Sequence, residues 1–382
     1  MANKEMNVKS HGMTIDLVEP TWMMITIEEI EALLLFYPQF KKAEKLVWHS
    51  PRPFSSAVIS VIDGKRYFIK RHAQNVRNVE GLLEEHGILH YLQTQGLPVS
   101  KIVEGVHKQT AFSLHEWTYE IHALGSGIDL YKDAISWSPF YSEHHAYSAG
   151  KTLASMHVAL KNYTAEKRKV RPLVSCFEIW NTGDPIAAAE KFMIHRPGLA
   201  NYLNQRKWKE DFQNILFPYY KKFYPFASCL DPIWTHNDWH ASNLLWTDQS
   251  DYAEVSMILD FGLSNVTSAV FDLATAIERN IVEWLAIDSY QKQIVHYQSL
   301  KALLAGYLSI RPLTQDEQNA LVTILPIVHT DYALSEIDYF VRMTKSQRDA
   351  DLAYDDYLLG HAKWFQTEEG KKLLQKLKEY LP

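Results

Sequence analysis

The chain has 382 residues, 47% of them apolar, with a formal net charge of −6 and two cysteines, Cys176 and Cys229. That is enough apolar mass for two well-filled lobes. The mildly acidic balance, with Lys and Arg spread rather than clustered, argues against nucleic acid or an anionic membrane as principal partner, and two cysteines are too few for a disulfide framework or a structural zinc site.

Residues 1–20 mix Lys, Glu, His and Asp and hold no apolar signal core. The best apolar run, Ala320 to Val328, contains a proline and falls short of the ~18–20 residues that span a bilayer. A cytoplasmic protein is expected. Thr26-x-x-Glu29 reads as a capping box opening a helix with Ile30, Leu33, Leu34 and Tyr37 on one face, stopped by Pro38. A loop rich in Pro and Ser follows, Ser50 to Ser56. Two extended runs, Val58 to Ile62 and Arg66 to Lys70, then meet at Asp63-Gly64, a hairpin signal because both residues tolerate positive φ. Next comes a helix over Val79 to Gln95, with Leu82, Leu89 and Leu92 on one face and Gly96 as its stop. Strands are expected at Thr110 to Trp117 and Tyr119 to Ala123, after which Gly125-Ser126-Gly127 breaks the pattern. That break sets the expected division into residues 1–124 and 125–382. From Ser142 the chain reads mainly helical, with a strong helix over Glu143 to Leu160 in which His157 is expected to pack inward, and a helical tail from Tyr290.

The chemistry concentrates between Trp234 and Gly262. His236-Asn237-Asp238-Trp239-His240-Ala241-Ser242-Asn243 precedes the apolar Leu244-Leu245-Trp246, and Asp260-Phe261-Gly262 closes the run Val255 to Leu259. Two buried strands therefore deliver carboxylates to one place. An Asp five residues before an Asn, followed by a second Asp ending a strand, suits phosphoryl transfer. Asp238 accepts the proton of the attacking hydroxyl, while Asn243 and Asp260 hold Mg2+ against nucleotide phosphates. The catalytic candidates are thus Asp238, Asn243 and Asp260, the last two as metal ligands. Lys70, ending the second hairpin strand, is placed to grip the nucleotide phosphates.

His236-x-Asp238-x-x-x-x-Asn243 with Asp260-Phe261-Gly262 resembles the catalytic pair of the aminoglycoside phosphotransferase and choline kinase family, from about Phe54 to the C-terminal helices. The resemblance implies an α+β, bilobed protein-kinase-like fold. Its N-terminal nucleotide-binding lobe is an antiparallel sheet plus a helix; the larger, mainly helical C-terminal lobe is catalytic and substrate-binding. It implies ATP or GTP and Mg2+ as cofactors and a small-molecule hydroxyl as acceptor, with oligomeric state open. It implies Glu85 as partner of Lys70, with Glu84 and Glu80 as fallbacks, and backbone groups near His122 to Leu124 on the adenine. His236 would support the loop, and Asp272 would brace it by accepting backbone hydrogen bonds. The phosphate-covering loop departs from the protein-kinase pattern: Pro51-Arg52-Pro53-Phe54-Ser55-Ser56 has no glycine. Ser55 and Ser56 either donate hydroxyls to phosphate or simply turn the chain.

Substrate contacts are expected from His240, or else a turn-stabilising role. Asp331, Glu336 and Asp338 read either as carboxylates facing an amine-bearing substrate or as a solvated helix face with Tyr332 and Phe340 packed inward. Three rival readings remain. A metal-dependent hydrolase would use His236, Asp238 and His240 as ligands but leaves Lys70 and Asp260 unexplained. An inactive nucleotide-binding scaffold conflicts with an intact set of catalytic residues. A kinase acting on a protein hydroxyl lacks the glycine-rich loop and an Ala-Pro-Glu sequence after Gly262.

Overall fold

The computed structural model describes residues 23–50, 56–134, 137–169, 172–174, 176–287 and 294–382. These fall into two compact units, one of residues 23–127 with 256–259, the other of 128–255 with 260–382. The chain thus crosses between units near Gly127 and returns briefly to the first. In that return Ile258 N–H donates to the Pro98 carbonyl at 2.7 Å.

The first unit opens with α1 (Ile27–Leu34), capped by the expected Thr26/Glu29 box. A five-stranded antiparallel sheet follows, ordered β1-β2-β3-β5-β4, from β1 (Ala43–His49), β2 (Ser56–Ile62), β3 (Lys65–Ala73), β4 (Ala111–Leu114) and β5 (Trp117–Ala123). Asp63 and Gly64, at φ 48° and 76°, make the two-residue turn that pairs Ile62 with Lys65. The second hairpin turns at His115-Glu116, where His115 takes φ 54°, three residues earlier than the expected break. Strand β1 was not expected. It lies at the sheet edge with only Ala43 buried and its ladder interrupted by register shifts, so its side chains carry no alternation. Helix α2 (Val79–Thr94) is capped by the Asn78 side chain and ends before Gly96 at φ 76°. Tyr37, Leu33, Val58, Ile69, Phe112 and Ile121 fill the core between α1 and the sheet.

The second unit is built on α3 (Glu143–Leu160), which matches its expected bounds and is capped by Ser142. Helices α4 (Pro185–Ile194), α5 (Pro197–Leu203), α6 (Trp208–Asp211) and α7 (Phe217–Phe223) lead to the site segment. That segment holds β6 (Pro232–Thr235), β7 (Leu244–Trp246), β8 (Val255–Ile258), β9 (Asn265–Ser268) and α8 (Ala269–Ile281). The rest is helical: α9 (Tyr297–Leu308), α10 (Gln315–Ile324), α11 (Thr330–Tyr339), α12 (Gln347–Leu352), α13 (His361–Trp364) and α14 (Glu368–Tyr380). Helices α3 and α9 approach backbone to backbone at Gly150 and Gly306, where an added Cβ would strike the Leu303 and Tyr147 carbonyls.

Two expectations change here. The helical stretch Gln315–Thr344 does reach membrane-spanning length and apolarity, because α10, α11 and their junction run on as one helix; 78% of its apolar window is buried inside the fold. The face carrying Asp331 and Asp338 is not solvated: both residues are buried.

Candidate active site

Two strands set the site. β6 pairs antiparallel with β9, Thr235 opposite Asn265, so the loop after β6 and the loop before β9 leave the same end of one small ladder. Cross-links tie these loops together. Ser264 Oγ donates to the Thr235 carbonyl at 2.9 Å, Asn237 Nδ2 donates to the Leu263 carbonyl at 3.1 Å, and the His236 and Phe261 rings lie 4.8 Å apart.

Asp272, in the first turn of α8, holds the first loop. Its carboxylate is wholly buried and accepts backbone N–H bonds from His236 and Asn237, both at 2.8 Å. His157 Nε2 lies 2.9 Å from the same carboxylate, and its Nδ1 is 2.9 Å from the Tyr307 hydroxyl. His157 is therefore a buried link between the brace and α9. His236 is fully buried, and its Nδ1 accepts the Asp238 N–H at 3.3 Å, which turns that nitrogen into its own loop rather than toward a shared metal.

Asp238 is partly exposed, its side chain 19% accessible. Asn243 Nδ2 donates to the Asp238 carbonyl at 3.0 Å and to Oδ2 at 3.2 Å. His240 Nε2 lies 3.5 Å from Oδ2 and Arg279 Nη2 lies 3.7 Å from Oδ1. Burial alone would raise the Asp238 pKa, but His240, Arg279 and His236 outweigh it and hold the carboxyl well below its usual range. Asp238 is therefore an ionised acceptor, suited to orienting a hydroxyl rather than to acting as a strong base.

Asp260 takes the left-handed conformation at φ 51° and ψ 72°, its Oδ1 accepts Gly262 N–H at 3.3 Å, and the residue is exposed. Arg168 clamps the following turn, with Nη1 2.9 Å from the Gly262 carbonyl and 3.3 Å from that of Ser264. Asn243 turns its amide nitrogen to Asp238, which leaves the amide oxygen as its second polar group; with the Asp260 carboxylate this is an all-oxygen donor set of the kind Mg2+ takes.

Three positioning residues escaped the sequence reading: Arg168, Arg279 and Asn280. Asn280 Oδ1 accepts Ala241 N–H and its Nδ2 donates to the Trp239 carbonyl, both at 2.9 Å. The available signal was spacing. Arg279 follows Asp272 by seven residues, two helical turns, and so shares its face of α8.

The other expected residues are placed as follows. His240 is buried with Nδ1 2.8 Å from Ser242 Oγ, so its turn-stabilising contact coexists with the one to Asp238. Asp338 accepts the N–H groups of Gly198 and Leu199 at 2.9 and 3.1 Å, capping α5. Asp331 Oδ2 accepts Ile179 N–H at 3.4 Å, and burial pushes its pKa up to about 7. Glu336 is half-buried; burial raises it to about 7 against the pull of Arg279 and a bond from Tyr332. Of the three carboxylates, Glu336 is the one that shares the electrostatic surroundings of Asp238 and Arg279. A small cavity beside them is lined by Asn237, Leu263, Glu278, Arg279, Tyr332 and Tyr357.

In the first unit, Lys70 sits on β3 opposite Glu120. Buried Glu85 accepts from Arg77 Nη1 at 3.2 Å. Ser56 Oγ donates to the Met23 carbonyl at 3.0 Å and accepts from Arg71 at 3.3 Å; Ser55 lies outside the described residues. The His122 side chain is buried, Leu124 is 42% exposed, and between them Ala123 N–H donates to the Lys101 carbonyl at 2.8 Å.

The sequence profile of the phosphotransferase enzyme family matches residues 51–313, more than half the chain. The chain belongs to that family. Phosphoryl transfer is its reaction class. No curated protein matches it. Among solved structures, this phosphotransferase is similar to a microcompartment-associated aminopropanol kinase, 15% identical, covering 90% of this chain and 99% of that one at a TM-score of 0.59. An aminoglycoside phosphotransferase from Alicyclobacillus acidocaldarius is 16% identical, covering 91% and 95%, with a TM-score of 0.52. An amicoumacin kinase bound to AMP-PNP is 13% identical, covering 90% and 92%, with a TM-score of 0.53. At these identities the likeness is one of fold, the kinase-like α+β fold with its antiparallel sheet and helical part.

Proposed function

We propose that this phosphotransferase moves the γ-phosphoryl of a nucleoside triphosphate, ATP or GTP, to a hydroxyl of a small molecule. The observation that carries the reading is the Asp238–Asn243 pair: an ionised, partly accessible carboxylate fixed by the amide five residues on, on a loop braced by Asp272. Asp238 aligns the acceptor hydroxyl and takes its proton late in the transfer. Asn243 and Asp260 are the residues that would hold Mg2+, which when bound neutralises phosphate charge. Lys70, with Glu85 as its helix partner, keeps the phosphate-gripping role. Most of the acceleration then comes from orientation and fixed charge. The aminopropanol kinase acts on an amine-bearing small molecule by name. Glu336, which feels the charges of Arg279 and Asp238 and accepts a bond from Tyr332, supports an amine-bearing acceptor here. A cytoplasmic location fits this chemistry.

The test is ADP or GDP release with magnesium across a panel of amino sugars, amino alcohols, hydroxy amino acids, thio-sugars and nucleosides, with Asp238→Asn as blank. Turnover absent from the blank supports the reading and names the acceptor class. Nucleotide binding without turnover on any panel member redirects it to a protein hydroxyl. No nucleotide binding at all refutes it.

A further inference from the structure

The first unit contains a second polar cluster, centred on Glu120, which lies opposite Lys70 in the β3–β5 ladder. Glu120 on β5 is 1% exposed, and three imidazoles from three directions converge on its carboxylate. His72, from β3, has Nε2 3.0 Å from Oε1. His86 from α2 and His122 from β5 each have Nε2 2.8 Å from the same oxygen, Oε2. All three histidines are buried. The far nitrogens of two rings meet hydroxyls: His86 Nδ1 is 2.7 Å from Thr110 Oγ1, and His122 Nδ1 is 3.1 Å from Ser100 Oγ.

A hydroxyl both donates and accepts, so this arrangement satisfies either tautomer. With Nε2–H groups donated to Glu120, the two hydroxyls donate to Nδ1. With Nδ1–H groups donated to the hydroxyls, two Nε2 lone pairs and a carboxylate oxygen are left facing one another. In that second state the hydroxyls are outer partners that orient metal-ligating imidazoles. Two imidazole nitrogens and one carboxylate oxygen are a donor set zinc takes readily. The three ligand atoms lie within 4.8 Å of one another. Around a tetrahedral zinc with ~2.0–2.1 Å bonds, neighbouring ligand atoms stand about 3.3 Å apart, so the 2.8 Å contacts need open by roughly half an ångström.

We propose that His86, His122 and Glu120 form a buried zinc site in the first unit, with His72 fixing the carboxylate through its other oxygen and a fourth position left for water. Two cysteines are too few to hold zinc, but His86, His122 and Glu120 supply three ligands without sulfur. The ion ties α2 to β5 next to Glu85, and its binding stabilises the sheet–helix packing of this unit.

The experiment uses the full chain, stripped with chelator and titrated with Zn2+ in the absence of nucleotide and magnesium. One zinc per chain is expected, with a melting temperature that rises with zinc. His86→Gln and Glu120→Gln should each weaken binding at least roughly ten-fold. Zinc-edge X-ray absorption on the unaltered protein needs no variant to fold, and should show two imidazoles plus oxygen at about 2.0–2.1 Å without sulfur. No saturable binding at roughly 100 µM zinc, equal binding in the folded variants, or a sulfur-containing shell overturns the proposal.

Discussion

Arg279 offers the sharpest test of the site's electrostatics. It is 5% exposed, with Nη2 3.7 Å from Asp238 Oδ1 and Nε 3.5 Å from Glu278 Oε2, and its guanidinium lies 5.2 Å from the rings of Trp137 and Tyr332. Arg279→Met keeps the length and apolar stem and deletes the charge. At 3.7 Å and an effective dielectric of ~20, the lost attraction is about 4 kcal/mol, an upper bound of roughly three pKa units on Asp238. Water at a side chain 19% exposed screens part of this, and His240 remains, so a rise of about one to two units is expected. A cation favours the ionised carboxylate. Removing it lets Asp238 hold its proton to higher pH, moving the carboxyl from well below the usual carboxylate range up toward it. Arg279→Lys restores most of the charge and should recover part of the shift. The assay is a 13C NMR titration of the aspartate carboxyls from about pH 6 down to the lowest pH at which the protein stays folded, with Asp238→Asn assigning the signal and thermal unfolding as the check on folding. A folded Arg279→Met enzyme whose Asp238 carboxyl titrates no higher than in the unaltered protein refutes the assignment of Arg279 as the partner that keeps Asp238 ionised.

Asp272→Ala orphans two buried backbone N–H groups and breaks the pair with His157, so a loss of about 3–5 kcal/mol is expected, read by urea unfolding, with kcat falling alongside. Asp331 has a folded pKa of about 7, raised by burial, against ~3.9 unfolded, so between those values the fold retains a proton that the unfolded chain has released. Its contribution to stability therefore falls as pH rises through that window, and Asp331→Asn should flatten the difference between unfolding at pH 5.5 and pH 8. Gly306→Ala pushes a Cβ onto the Tyr147 carbonyl in the α3–α9 contact and should cost about 1–3 kcal/mol or more, read as a drop in melting temperature.

The local signals were legible because each acts within a few residues. The Thr26/Glu29 box, the Asp63-Gly64 turn, the helices starting at Val79 and Glu143, and the spacing of Asp238, Asn243 and Asp260 are all written in neighbouring side chains. Strand β1 was not legible, because an edge strand with exposed side chains is defined by its hydrogen-bond ladder rather than by alternation. Likewise α8 is buried on every side, so apolar periodicity could not say which of its polar residues point at the loop after β6. That Arg279 faces Asp238 and Asn280 clamps Trp239 and Ala241 follows only once β6, β9 and α8 are packed together. His72, His86 and His122 are a stronger case. They stand on β3, α2 and β5 with no shared spacing, and only the antiparallel pairing of β3 with β5, with α2 laid beside them, brings three rings to one carboxylate. The sequence by itself determined which chemical groups the candidate site offers, since that depends on residue type and short-range order. Tertiary structure alone decided their charge state and supports, because burial and Coulomb interactions depend on distance through space.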